Sequence, residues 1–470
     1  MFGIAVFTYV MGIGIAILAG LLVRYVLRRL NSSYQINWKE FGVGVAVLAV
    51  VVTPGVSWAG TEIAHANAVG GYVEYLNGSI TAAKSEEINC TRDGSCHHTY
   101  DCDLYFVSVG SGKRRHLEPR WHHCPYTTKE YRYWLDDSFG GHHPIGGETV
   151  FDANPQQWRG GKSIPGDIAK GVPAAWQEAK SQIESGNAPP ATAEHEYVNY
   201  YLVSQSTILK TYGGDIPGYR QRSLLAPHTV NYKNGIIDGY MAKKVVTAGN
   251  LKLNNEDEWQ KTLARLNAKL GGTSTLRGDL HMLVVPAALV GEGEADSYAN
   301  AMLAYWQSDE FGKNGLAKNA IALIVGVDDA QTTVTWARAK TGLPVGNGEL
   351  MANLSLRLRN AAFEPSSLLG SPTAKIVDGN PVYDSTSGLV DQIITRDFPY
   401  QRPCMDCKDK GEAGGYVYLD SETLISGWAQ FWIVLAGVLL AGGIWWFFAY
   451  MPFFEGIHPG RRAQRNRFDY

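Results

Sequence analysis

The side chains best suited to chemistry crowd into one stretch of this 470-residue chain. Between Cys90 and His143 stand four cysteines (Cys90, Cys96, Cys102, Cys124) and seven histidines (His97, His98, His116, His122, His123, His142, His143), interleaved with Tyr100, Tyr105, Tyr126, Tyr131 and Tyr133. Thiolates and imidazoles are the ligands of zinc, so a zinc site is one chemistry on offer. The spacing Cys90-x5-Cys96-x5-Cys102 lacks the short gap of a zinc knuckle, however. Adjacent histidines on a strand also point to opposite faces, so only one of each pair can serve a given metal. Disulfides with solvated histidines are the preferred reading, and zinc the alternative. A second thiol pair, Cys404-Met405-Asp406-Cys407, has the two-residue gap of thiol-disulfide oxidoreductases. Pro403 precedes it, polar residues follow and no thioredoxin-like βαβ pattern surrounds it, which favours a structural bridge. Six cysteines permit many pairings, and the sequence does not choose among them.

Hard-oxygen chemistry has one candidate. Asp328 and Asp329 could donate to calcium, with Asn347 or Glu349 from the next loop, although adjacent carboxylates at a hairpin corner are also turn formers. Other motifs fail on inspection. Gly110-Ser111-Gly112-Lys113 lacks the leading glycine of a phosphate loop, and Arg114 stands where a hydroxyl would hold magnesium. His195-Glu196 has no second histidine one turn later, only Asn199 nearby, and reads as surface. The acidic run at 291–296 suits a helix N-terminus. Calcium and zinc are the only cofactors the chain suggests, and no catalytic residue is assigned.

Three uncharged stretches must position all of this: residues 2–23, 41–59 and 424–454, each long enough to cross a hydrocarbon core as helix. Arg24, Arg28, Arg29 and Lys39 lie in or beside the first short loop (24–40), and Arg461, Arg462, Arg465 and Arg467 fill the tail (455–470). Basic residues stay cytoplasmic, so the large block between the second and third spans is expected to be exported. All six cysteines fall in that block, as an oxidising compartment would require. Lys39 ahead of the second span and Ser57-Trp58-Ala59 at its end leave signal-peptidase cleavage there as an alternative. Pro54 should disturb the second helix, and Gly437 with Ala441 forms a small-xxx-small face in the third. Residues 60–423 carry 34 Lys plus Arg against 42 Asp plus Glu, a net −8 that excludes nucleic acid as the expected partner.

Within the block, residues 60–159 read as a small Cys/His-rich β subdomain, with strands at 104–109 and 131–135. Residues 160–253 read as a connector and mixed region holding one helix at 174–184. From Asn254 onward the pattern sharpens. Asn254 caps a helix carrying Trp259, Leu263, Leu266 and Leu270, and Gly271-Gly272 ends it. Then come a strand at 281–286, a helix at 295–306, an apolar strand at 320–327 of the kind covered on both faces, a returning strand at 332–337 and a helix at 348–360. That order describes an α/β sandwich with one mixed sheet. Residues 363–423 are loop-rich and juxtamembrane.

Val284-Val285, Tyr298-Ala299, the Gly312-Lys313-Asn314-Gly315 turn, the strand at 320–327, Asp328-Asp329 and Gly342-Leu343-Pro344 together resemble the TPM domain family over residues 254–360. The resemblance implies a membrane-tethered α/β domain on the far side of the membrane. In that family a glycine-rich segment with an acidic residue follows the hairpin strand, and some members bind calcium or act as phosphatases. Here residues 339–347 carry no carboxylate. The expected whole is therefore an α/β, membrane-anchored protein with three transmembrane helices, an exported TPM-like sandwich and a Cys-rich β subdomain. Its expected role is non-catalytic assembly or interaction in the cell envelope, with the lipid bilayer and other membrane proteins as partners. A metal-dependent, phosphatase-like hydrolase acting through Asp328 and Asp329 is the alternative.

Overall fold

The computed structural model describes residues 2–29, 36, 38–88, 96–145, 150–151, 156–157, 171–204, 207–232, 241–272, 277–343, 346–384, 388–405, 415–423 and 425–450. Cys90, Cys407, Pro344 and the tail with Arg461, Arg462, Arg465 and Arg467 lie outside them.

The chain opens with two long apolar helices, α1 (Phe2–Arg29) and α2 (Trp38–Val69). A backbone facing lipid must bond to itself, and a helix does so without partners. α1 runs on past residue 23, and the Arg24 guanidinium covers the Trp38 ring at 3.7 Å. α2 likewise continues beyond residue 59: Thr61, Glu62, His65 and Asn67 are polar, but nothing breaks the helix until Gly70 and Gly71, the latter at φ +74°. Pro54 has no N–H for the carbonyl four residues back. The turn before it, Leu48–Val52, widens to a π turn. The end of α2 is capped from far along the chain, by Lys313 donating to the carbonyls of Asn67 (2.7 Å) and Gly70.

The next strand, β1 (Tyr72–Ile88), is long enough to serve two neighbours. Beyond it a ribbon of β2 (Cys96–Val109) and β3 (His116–Thr128) departs and returns, followed by β4 (Glu130–Asp137), β5 (His142–Pro144), α3 (Ala174–Glu184) and β6 (Pro190–Tyr197). β6 pairs with the first half of β1 and β4 with the second, either side of an irregularity between Ile80 and Ala82. The sheet order is β5-β4-β1-β6. Ile80, Leu135, Trp176 and Ala179 fill its small core, and the Trp176 indole donates to the Lys84 carbonyl (2.9 Å). The β subdomain thus takes its last strand from the stretch read as connector.

Short helices at Tyr200–Val203, Thr207–Tyr212 and Ile216–Gln221 lead to the second unit. It consists of β7 (Val245–Thr247), α4 (Glu256–Gly272), β8 (Asp279–Pro286), α5 (Ala295–Trp306), β9 (Ala320–Val327), β10 (Val334–Thr341) and α6 (Gly348–Arg357). β7, β8 and β9 are parallel and β10 antiparallel, which makes the expected mixed sheet with one strand more than the sequence disclosed. Every residue of β9 is buried. Ile321, Leu323 and Val325 pack with α4 and α6, while Ala320, Ala322 and Ile324 pack with α5. A helix layer on each face explains why β9 shows no polar alternation.

The loop-rich stretch contains a hairpin, β11 (Thr373–Val377) with β12 (Asn380–Asp384), and the last helix is α7 (Gly427–Tyr450). Three helices, α1, α2 and α7, are long and apolar enough to cross a membrane. Ala441, on the small-residue face, is buried against α1 and α2 within the same chain. Gly20 admits the Trp445 ring, whose indole donates to the Ala16 carbonyl (3.0 Å).

Candidate functional site

The densest group of buried titratable side chains lies where β1 meets α4 and the start of β8. The approach needs a glycine: a Cβ on Gly271, near the end of α4, would stand 1.6 Å from the Asn77 carbonyl oxygen. Asp279, fully buried, opens β8. Its Oδ1 accepts from the Lys244 ammonium and from Asn77 Nδ2 (2.8 Å), and its Oδ2 meets His281 Nε2 at 2.7 Å. Lys244 immediately precedes β7, lies 3.1 Å from Asn77 Oδ1 and stands 4.6 Å from the centre of the Tyr75 ring. Thr192 on β6 donates to the same Asn77 oxygen (2.9 Å). His281 Nδ1 donates to the His228 carbonyl (2.9 Å), and His228 Nε2 donates to that of Asn314 (2.9 Å). A cavity of about 20 Å³, the space of one water molecule, is lined by Asn77, Thr192 and Lys244.

Burial governs the charges here. It pushes the Lys244 ammonium below its ordinary range, against the pull of Asp279. Burial would raise the Asp279 carboxyl, but Lys244 and His281 outweigh it and hold that group well below the usual carboxylate range. Burial, with His281 adding repulsion, pushes His228 down to about 3, so it is neutral at pH 7. Tyr75 is pushed up to about 12 by burial, then by Glu194 and Asp279.

Three residues before Asn77, a second buried group gathers around Glu74. Its Oε1 accepts from Arg402 and lies 3.0 Å from His195 Nδ1 and 3.7 Å from Lys318 Nζ. Among the described residues, Glu74 Oε2 and Arg402 Nε are buried without hydrogen-bond partners. Asn319 donates to the carbonyls of Tyr75 (2.8 Å) and Arg277 (3.1 Å). Together these contacts join β1 and β6 to the α/β unit through charge, beside an apolar cluster that includes Tyr197, Ala317 and Leu343.

The histidine-rich stretch does the opposite. His98 pairs with Glu130, His116 with Glu118 (3.1 Å), His123 with Asp101 (2.7 Å), His142 with Asp136 (2.9 Å) and His143 with Asp137 (2.6 Å), while His122 stacks on Tyr105 at 4.2 Å. Each of these six imidazoles thus has its own partner within the β subdomain. Among the described residues one trio of possible metal ligands converges, Cys102, Asp103 and Cys124. Its two cysteines form a disulfide across the ribbon, with Cα atoms 5.8 Å apart. Cys96 and Cys404 are also disulfide-bonded.

At the acidic corner, Asp328 accepts from the backbone of Thr332 (2.7 Å) and Thr333 (2.9 Å) and from the Thr332 hydroxyl (2.7 Å). Those bonds, the one from Thr333 foremost, hold it below the usual carboxylate range. Asn347 exchanges two hydrogen bonds with the Gln401 backbone, and Asp329 and Glu349 are exposed. His195 is exposed as expected, but Asn199 is buried and caps the helix at Tyr200–Val203. The sequence reading missed Glu74, Asn77, Lys244 and Asp279. A signal was present: Asp279 and His281 sit two apart, on one face of a strand whose other residues are apolar. Compared with known proteins, the chain matches no family model, no curated protein and no solved structure.

Proposed function

We propose that this chain is a membrane-anchored assembly or interaction protein. In this reading its α/β and β units lie on the extracytoplasmic side, the short loop and basic tail are cytoplasmic, and the α/β unit is TPM-like. The observation that carries the reading is the β2–β3 ribbon. Cross-strand register sets Leu104 opposite Trp121, Phe106 opposite Pro119 and Ser108 opposite Leu117, which places these side chains on one face. Leu104, Phe106, Leu117 and Trp121 are 47 %, 60 %, 66 % and 50 % exposed. A contiguous exposed apolar face is a mark of an interaction surface. At the tip, Lys113, Arg114 and Arg115 have no carboxylate within ion-pairing distance among the described residues. Charge complementarity therefore selects a protein partner presenting an apolar groove rimmed by Asp and Glu.

Photo-crosslinking from positions 106 and 121 of the full chain in its native membrane tests this. A single discrete protein adduct, lost when Arg114 and Arg115 are changed to Glu, is the expected result. Adducts only with lipid, or only with a second copy of the chain, would overturn it.

A further inference from the structure

We propose that the side chains of Lys244 and Asn77 become joined by an amide bond, formed by the folded chain itself with release of ammonia. The reaction needs an uncharged amine beside a polarised carboxamide, a group to carry a proton between the two nitrogens, and exclusion of water. The site supplies the carboxamide, the proton carrier and the buried setting, and burial shifts the Lys244 ammonium toward the neutral amine. Lys244 Nζ donates to Asn77 Oδ1 at 3.1 Å, which sets the amine beside the carboxamide. Burial favours the neutral amine, which is the nucleophilic form. Thr192 donates to Asn77 Oδ1 and stabilises the negative charge that develops there during attack. Asp279 Oδ1 touches both the entering nitrogen, Lys244 Nζ, and the leaving one, Asn77 Nδ2.

The balance closes without any co-reactant. The Nζ lone pair forms a bond to Asn77 Cγ. A proton passes from Nζ to Asp279 Oδ1 and on to Nδ2, the Cγ–Nδ2 bond breaks, and ammonia leaves with its electron pair. Nothing is oxidised or reduced, and Asp279 ends as it began. His281, bonded to the other oxygen of Asp279, is a positioning residue that fixes the carboxylate. The water-sized cavity at Asn77 and Lys244 can receive the departing ammonia. The Tyr75 ring and the buried surroundings leave room for about one water beside Lys244, too little to solvate an ammonium fully. The two residues are 167 apart in sequence, so the bond would tie β1 permanently to the α/β unit. It would do so whether or not the ribbon docks a partner.

Mass spectrometry of the full-length chain, purified in detergent, reduced and denatured, tests this. The expected mass is about 17 Da below that of the reduced sequence, with a branched tryptic peptide joining the segments of Asn77 and Lys244. Lys244→Met is expected to restore the full mass and the two linear peptides. Asp279→Asn, close in shape but unable to relay the proton, is expected to slow linkage at least about a hundredfold. A wild-type chain of full mass that yields separate Asn77 and Lys244 peptides overturns the proposal, even if neither variant accumulates. Linkage at the wild-type rate in Asp279→Asn overturns the role given to Asp279.

Discussion

The ribbon and the junction hold similar residue types in opposite arrangements. In the β2–β3 ribbon, histidines, carboxylates and cysteines are close neighbours in sequence and pair locally, leaving apolar side chains in solvent. At the junction, Glu74, Asn77, Thr192, Lys244, Asp279 and Arg402 come from distant segments and are withdrawn from water together. Density of reactive residue types along the chain therefore does not locate the place where they act on one another. Convergence does, and only the fold supplies it.

The contrast can be broken most forcefully at Asp279. Asp279→Ala removes the carboxylate that Asn77, Lys244 and His281 all meet, and each buried polar group left unsatisfied costs about 1–3 kcal/mol. Thermal unfolding of the full chain in detergent should register that loss, whereas His116→Ala in the ribbon should change stability by no more than about 1 kcal/mol. Equal effects would erase the distinction between the two regions. Replacing Cys102 and Cys124 together by Ser should cost about 2–4 kcal/mol, felt within the ribbon. Limited proteolysis should then cut at 96–128 while fragments containing Asp279 stay protected. Cleavage that spreads to the junction would show the two regions to be coupled.

A third measurement uses pH. His228 is held to about 3 in the folded chain, whereas an unfolded histidine titrates near about 6.5. Below that unfolded value the unfolded chain takes up a proton that the folded chain refuses, so stability is complete above it and falls on acidification. The expected slope from this residue is at most about 1.4 kcal/mol per pH unit between the two values. Burial, His281 and Lys244 hold it neutral over that window, against the opposing pull of the Asn314 carbonyl and Asp279. His228→Gln should remove about one proton from the slope, and an unchanged slope would place the acid sensitivity elsewhere. The smallest effect is expected at the tip, where Arg114→Ala should leave stability unchanged within about 0.5 kcal/mol.

Elements with a strong local pattern were legible in the sequence. The helix at 295–306 and the strand at 320–327 coincide with α5 and β9, because apolar spacing alone decides their faces. β7 was not legible: three residues carry no period, and Val245–Thr247 become a strand only by lying alongside β8. β6 was obscured for a similar reason, since Glu194, His195 and Glu196 look like surface until Tyr72 and Tyr75 supply the other half of the ladder. The buried site was the least legible part. Asp279 and His281 mark it from one side, but Asn77 lies 202 residues from Asp279, and no spacing rule spans that distance.

Lys313 has a mechanical consequence. The second apolar helix ends at a Gly70-Gly71 pair that would otherwise act as a swivel, yet the lysine grips the carbonyls of Asn67 and Gly70 from the opposite unit. A helix that leans over in a thinner bilayer cannot turn freely beneath its load, because two charge-assisted bonds would have to break first. Were that helix to span a bilayer, any such lean would be passed into the body as torque, and bilayer thickness would become a variable that the distal parts of the molecule feel.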